Sequence, residues 1–198
     1  PKASLVAVTV DEGIRGYRDE ALKIAASNCK KLGIEHLTVS FRQLFGSTLD
    51  EMVGRLKALN QKESPCAVCG VLRRKALNLA ARKVKADRLA TAHTLDDETQ
   101  TILLNIFHGD VLRIAKEKPV TDEVHSKLVP RVKPFCEVPE RETALYAYVE
   151  GIEFQGTPCP YATDALRNDA RSMLDRLEDR HPGMKFTIFG SIEKIRPA

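Results

Sequence analysis

Three cysteines set the first chemical question. Cys66 and Cys69 form a Cys-x-x-Cys pair, and Cys159 follows 90 residues after the second of them. Two thiolates at that spacing on a turn can bind one metal centre. Pro65 and Gly70 bracket the pair, and Cys159 lies between Pro158 and Pro160, a rigid setting for a third ligand. Three thiolates leave an iron–sulfur cluster with one iron lacking a protein ligand, open to an exogenous ligand such as sulfide. The same spacing also suits a redox-active dithiol, a zinc site with a fourth ligand elsewhere, or plain packing. Of the other two cysteines, Cys29 falls on the apolar stripe of a helix and reads as a core residue. Cys136 reads as structural.

Charge near these cysteines is the second signal. Arg73-Arg74-Lys75 follows the pair directly. Positive charge there stabilises thiolates and attracts phosphates, or forms a solvated helix face. Arg82, Lys83 and Lys85 read as surface charge. A third signal is Thr91-Ala92-His93-Thr94-Leu95-Asp96-Asp97-Glu98. Thr94 and Asp97 fit a capping box, and three acids suit the positive end of a helix dipole. The alternative use of an Asp here is to bind the Mg²⁺ of a nucleotide or to polarise a substrate group. His93 can contact a phosphate or cap a strand end.

These residues need a scaffold. The 198 residues fit one domain, or one with a small appendage; 43% are hydrophobic and 29% charged, ordinary values for a chain with a real core. A net charge of +4 permits a nucleic-acid partner without demanding one. No apolar run approaches a membrane span and no signal peptide opens the chain, so a cytoplasmic protein is expected. Five cysteines in such a chain point to metal or redox chemistry before a disulfide framework.

Ser4–Val10 reads as a buried strand, ended by Asp11-Glu12-Gly13. Arg18–Leu32 has helical periodicity, with Gly33 as its C-cap. His36–Phe41 reads as a second strand and Leu49–Leu59 as an amphipathic helix. Residues 64–70 read as a loop feeding a helix to about Val84. Asp87–Thr91 reads as a third strand, followed by a helix over Leu95–Phe107 that Gly109-Asp110 breaks. Residues 116–127 read as a mobile polar loop, Leu128–Phe135 as an extended segment and Pro139–Val149 as a helix. A loop over Gly156–Tyr161 carries Cys159. A helix over Thr163–Arg180 and a short element over Met184–Phe189 complete the chain. The β-α-β-α order predicts an α/β fold, a parallel sheet with helices on both faces and ligands at the carboxyl ends of the strands. Residues 1–115 form the expected nucleotide-binding core. Residues 116–198 form the C-terminal part of the same domain, with the third cysteine.

In order, Val10-Asp11-Glu12-Gly13-Ile14, Cys66-x-x-Cys69-Gly70-Val71-Leu72-Arg73-Arg74, Ala92-His93-Thr94-Leu95-Asp96-Asp97-Glu98 and Cys159-Pro160-Tyr161-Ala162 resemble the tRNA 2-thiouridine synthetases. These belong to the N-type ATP pyrophosphatase (PP-loop) superfamily, of adenine-nucleotide alpha-hydrolase-like fold. The resemblance implies that ATP adenylates the 2-oxygen of a tRNA uridine and that sulfur then displaces AMP. It implies a 4Fe–4S cluster on Cys66, Cys69 and Cys159, with Mg²⁺ and a sulfur donor that is a ubiquitin-like carrier protein or sulfide. It implies catalytic roles for Asp97, Arg73, Cys66 and Cys159. It places Val10, Asp11, Glu12, Thr91, His93 and Asp96 around the ATP, and it suggests a homodimer.

The chain departs from that pattern in three ways. It has no SGGxDS-type pyrophosphate loop and begins at what reads as the second strand, so the first strand, expected in mid-sheet, is missing from it. Ala92-His93-Thr94 replaces the usual Gly-His-Asn. Terminal zinc-binding cysteine clusters are absent. Two other readings accompany the resemblance: a cluster-free thiolase using persulfide on Cys66 or Cys159, and a tRNA-binding scaffold without catalysis.

Overall fold

The computed structural model describes residues 4–116, 118–121, 127–162 and 165–195. The chain divides into two compact units, residues 1–87 with 147–162, and residues 88–146 with 163–198.

The first unit is built on a βαβ element. β1 (Val6–Asp11) pairs in parallel with β2 (Glu35–Ser40), in a register running from Val6 opposite Glu35 to Asp11 opposite Ser40. α1 (Arg18–Leu32) connects them and stops at Gly33, whose φ of 65° supplies the left-handed cap that the sequence predicts. No side chain of α1 is buried, so Cys29 is half-buried and not the core residue its spacing suggests. α2 (Phe41–Phe45), unforeseen in the sequence, begins where the second strand was expected to continue. The Ser40 side chain accepts from the Gln43 N–H, which turns the chain into a helix one residue early.

α3 (Leu49–Ala58) starts with a complete capping box between Thr48 and Glu51. α4 (Pro65–Lys83) starts earlier than its sequence suggests. Pro65 occupies the first helical turn, where its fixed φ is pre-organised, and the Ser64 carbonyl accepts from the Ala67 and Val68 N–H groups. Cys66 and Cys69 therefore ride on a helix and not on a loop. The unit's core gathers Val10, Ile14, Phe41, Leu49, Val53, Cys69 and Ala76.

The second unit holds β3 (Leu89–Ala90), α5 (Leu95–Phe107), α6 (Val111–Lys116), β4 (Arg131–Val132), most of α7 (Glu140–Val149), α8 (Ala165–Arg180) and α9 (Met184–Ile195). β3 and β4 pair in parallel. The described strands thus make two two-stranded parallel sheets where one sheet was expected. α6 was also unforeseen. Asp110 nucleates it by accepting from the Arg113 N–H. α9 runs to Ile195 because Ile188, Phe189 and Ile192 pack with Ile102 and Ile114. Part of the expected mobile loop lies outside the described residues, at 117 and 122–126. The rest is pinned to β4: the Thr121 N–H donates to Arg131, the Lys133 N–H donates to Pro119, and Val120 bridges Val132.

Ion pairs hold this unit's helices together. The Lys185 ammonium lies 2.5 Å from Asp96 and 2.6 Å from Asp175, while the second Asp96 oxygen accepts from the Glu140 N–H at 2.6 Å. Asp96 thereby joins α5 to the starts of α7 and α9. The Glu98–Lys133 pair, 2.6 Å apart and almost fully buried, fastens α5 to the end of β4 beside the buried Cys136. No described helix is long and apolar enough to cross a membrane.

Two predictions follow from this packing. Gly13 has φ +69°, and a Cβ there would lie 2.4 Å from Thr48 Cγ2. Thr48 is held by its capping box, so Gly13→Ala should cost about 2 kcal/mol in urea denaturation. The second prediction concerns pH. Desolvation works against the Asp96 charge, but the Glu140 N–H and Lys185 outweigh it and hold its carboxyl below the usual range. A lowered pKa gives stability above about pH 4 that is lost as pH falls through the folded value. Asp96→Asn should therefore destabilise at pH 7, and its deficit relative to the parent should shrink steadily below about pH 4.

Candidate functional site

The site in the first unit is organised by one buried acid. Glu12, at the end of β1, is 1% exposed. Its Oε1 accepts from Arg73 Nε at 2.7 Å, and its Oε2 lies 2.7 Å from Arg18 Nε. The second contact lacks hydrogen-bond alignment, so neither Glu12 Oε2 nor Arg18 Nε makes a hydrogen bond and charge alone holds them. Arg18 also donates to the Val10 carbonyl, closing the turn after β1. Asp11 Oδ1 accepts from the Gly13 N–H at 2.8 Å and shapes the same turn.

Arg73, one helical turn beyond Cys69 on α4, donates its second guanidinium nitrogen to the Cys69 sulfur at 3.2 Å. Burial pushes the Cys69 thiol above its ordinary pKa, with the Glu12 charge adding to it; Arg73 opposes both without reversing them.

Cys159 is brought to the same place by a well-fastened loop. It packs against the core cluster that contains Cys69, and the two sulfurs are close enough to influence one another electrostatically. The Cys66 thiol donates to the Tyr161 carbonyl at 2.9 Å. The Tyr161 hydroxyl donates to Asp50 on α3 at 2.7 Å, and burial together with that carboxylate pushes the phenol up to about 12. Upstream, Gln155 donates to the Tyr17 carbonyl and Asn28 donates to the Glu153 carbonyl.

All five cysteines are free thiols. Among the described residues no group of three or more Cys, His, Asp or Glu stands in metal-holding geometry. The donor set nonetheless fits an iron–sulfur group by its chemistry: three thiols at one end of one unit, with a guanidinium beside them. They must turn toward a common centre before they ligate.

The remaining expected residues lie in the second unit. Thr94 and Asp97 form both arms of the anticipated capping box, and the cap uses only the Asp97 Oδ2 oxygen. His93 is exposed and its Nδ1 meets the Thr91 hydroxyl at 2.9 Å. Asp96 is 8% exposed and committed to Lys185 and Glu140. Sequence reasoning missed Arg18, Asp50 and the fastening role of Glu12. The only available signal for Glu12 was a carboxylate at the end of an apolar strand with arginines at positions 18 and 73 to pair with it.

No family model matches the chain. Individual proteins do. The tRNA 2-thiolation protein NcsA of Haloferax volcanii is 36% identical over 201 residues, covering 98% of this chain and 62% of that protein. The cytoplasmic tRNA 2-thiolation protein 1 of Schizosaccharomyces pombe is 37% identical over 195 residues, covering 98% of this chain and 57% of that protein. A probable sulfurtransferase of Methanocaldococcus jannaschii is 38% identical over 197 residues, with 98% and 57% coverage. Among solved structures, the U34-tRNA thiolase NcsA from Methanococcus maripaludis with its [4Fe-4S] cluster matches at a TM-score of 0.84 and 36% identity, over 98% of this chain and 62% of that one. The chain thus shares the mixed α/β fold of that thiolase and spans about three fifths of the length of the relatives it matches.

Proposed function

We propose that this chain is part of an ATP-dependent tRNA uridine 2-sulfurtransferase of the N-type ATP pyrophosphatase superfamily, in which Cys66, Cys69 and Cys159 hold a 4Fe–4S cluster. The observation that carries the reading is the gathering of Cys159 with the Cys66–Cys69 turn beside the Arg73 guanidinium. Similarity over 98% of the chain to tRNA thiolation proteins supports it. When bound, such a cluster supplies one iron without a protein ligand, where exogenous sulfur can be held.

The chain's own residues have separable tasks in this reading. In this reading Val10 and Asp11 of the first unit, and Thr91 and His93 of the second, are the residues assigned to ATP binding. Glu12 and Asp96, whose carboxylates are spent in ion pairs, hold the backbone around them. Asp97 offers the carboxylate oxygen its cap does not use, Oδ1, to Mg²⁺ or to the uridine. A uridine carbonyl oxygen is a poor leaving group. Its attack on the α-phosphorus of ATP releases pyrophosphate and converts it to AMP, a good one. Sulfur then bonds to C2 as AMP departs. Arg73, held by Glu12, keeps positive charge at the sulfur side and favours the anionic form of an incoming sulfur. The partners are tRNA and either a ubiquitin-like sulfur carrier or sulfide. We further propose a cytoplasmic location, in line with the relatives' names, and a homodimer.

Anaerobic reconstitution with iron and sulfide should give a broad charge-transfer absorption and about four irons per chain. Cys159→Ala should abolish both, whereas Cys29→Ala should retain them. Retention in Cys159→Ala would remove the core of the proposal. Glu12→Gln should lower stability by about 2 kcal/mol, because two guanidinium groups lose their shared counter-charge. In the same variant the Cys69 thiol, alkylated in the metal-free protein, should react at a rate distinct from the parent's, since Arg73 is no longer fixed over it.

A further inference from the structure

We infer that the solvent face of α4 is a phosphate-binding track for RNA. This rests on the tRNA thiolation reading and names the surface that would carry the nucleic acid. From residue 64 to residue 86 the sequence holds six Lys and Arg and no Asp or Glu. The asymmetry extends to the whole unit. Residues 1–87 with 147–162 carry sixteen Lys and Arg against eleven Asp and Glu, a net +5. Residues 88–146 with 163–198 carry fifteen against sixteen, a net −1.

Within the acid-free stretch the cations are ordered. The core side of α4 presents Cys69, Ala76, Ala80 and Ala81. The opposite side presents Lys75 and Arg82 in one row, seven residues and about 10.5 Å apart, with Arg74 flanking it. Arg74, Lys75, Arg82, Lys83 and Lys85 are all exposed. Among the described residues no carboxylate pairs with Arg74, Arg82, Lys83 or Lys85, while Arg73 is taken up by Glu12. Lys75 lies 5.5 Å over the Phe45 ring, which steadies its stem. Unpaired cations in a row repel each other, so the arrangement costs stability unless a polyanion neutralises it.

The occupant is a phosphodiester backbone by charge complementarity. Arg74 lies five residues, about 7.5 Å along the axis, from Cys69. The row supplies affinity and register without reading bases.

The test is binding of a tRNA transcript across a potassium chloride series. The double variant Arg74→Gln/Arg82→Gln should bind about tenfold more weakly at low salt, and its slope of log K against log salt should flatten by about 1.5. Lys23→Gln/Lys30→Gln, which removes two exposed charges from α1 in the same unit, should change neither. Circular dichroism and the reconstituted cluster absorption of both variants should match the parent, which separates lost contacts from lost folding. Parental affinity and slope in the α4 variant, or equal weakening in both variants, would overturn the inference while leaving the thiolation reading standing. A parent protein that binds no tRNA at any salt would sink both.

Discussion

The arrangement depends on a single buried carboxylate that two arginines share. Removing Glu12 from water is unfavourable unless opposite charge comes with it. That charge arrives from two directions: Arg18 from the start of α1, and Arg73 from the third turn of α4. The end of β1, the helix that follows it and the cysteine-bearing helix are thereby locked to one point. The lock also has a polarity. Arg73 is only half-buried and its far nitrogen rests on the Cys69 sulfur, so a structural ion pair extends into the chemistry of the thiols.

Much of this was legible in the residues. Arg18–Leu32 and Leu95–Phe107 have the bounds their periodicity and punctuation indicate, because Gly33 and the Thr94–Asp97 box fix the ends by local chemistry. The three cysteines that the first unit gathers could be singled out, since Cys66 and Cys69 have ligand spacing and Cys159 is braced by prolines. What could not be read came from contacts distant in sequence. Nothing local says that Glu12 meets Arg73, or that Tyr161 reaches Asp50 across 111 residues. Cys29 shows the opposite error: its stripe is genuine, yet α1 is covered too thinly to bury it. The strand over Asp87–Thr91 shortened to Leu89–Ala90, whose strand partner among the described residues is the two-residue Arg131–Val132.

The two units use charge differently. In the second, key acids and bases pair inward, as in the Asp96–Lys185 contact and the Glu98–Lys133 pair; these join α5 to its neighbouring elements. In the first, one acid neutralises two arginines inside, while among the described residues no carboxylate compensates the cations on the outer face of α4. The inward charges confer shape and the outward ones are available for long-range attraction.

The loop that carries Cys159 has a temporal meaning. Its anchors, Gln155, Cys159 and Tyr161, emerge from the ribosome some 90 residues after Cys69. At about 5–20 residues per second, the first two thiols therefore wait roughly 5–20 seconds in the nascent chain without their third companion. Any assembly that needs all three is a late event in biosynthesis, and until then the exposed pair is open to oxidation.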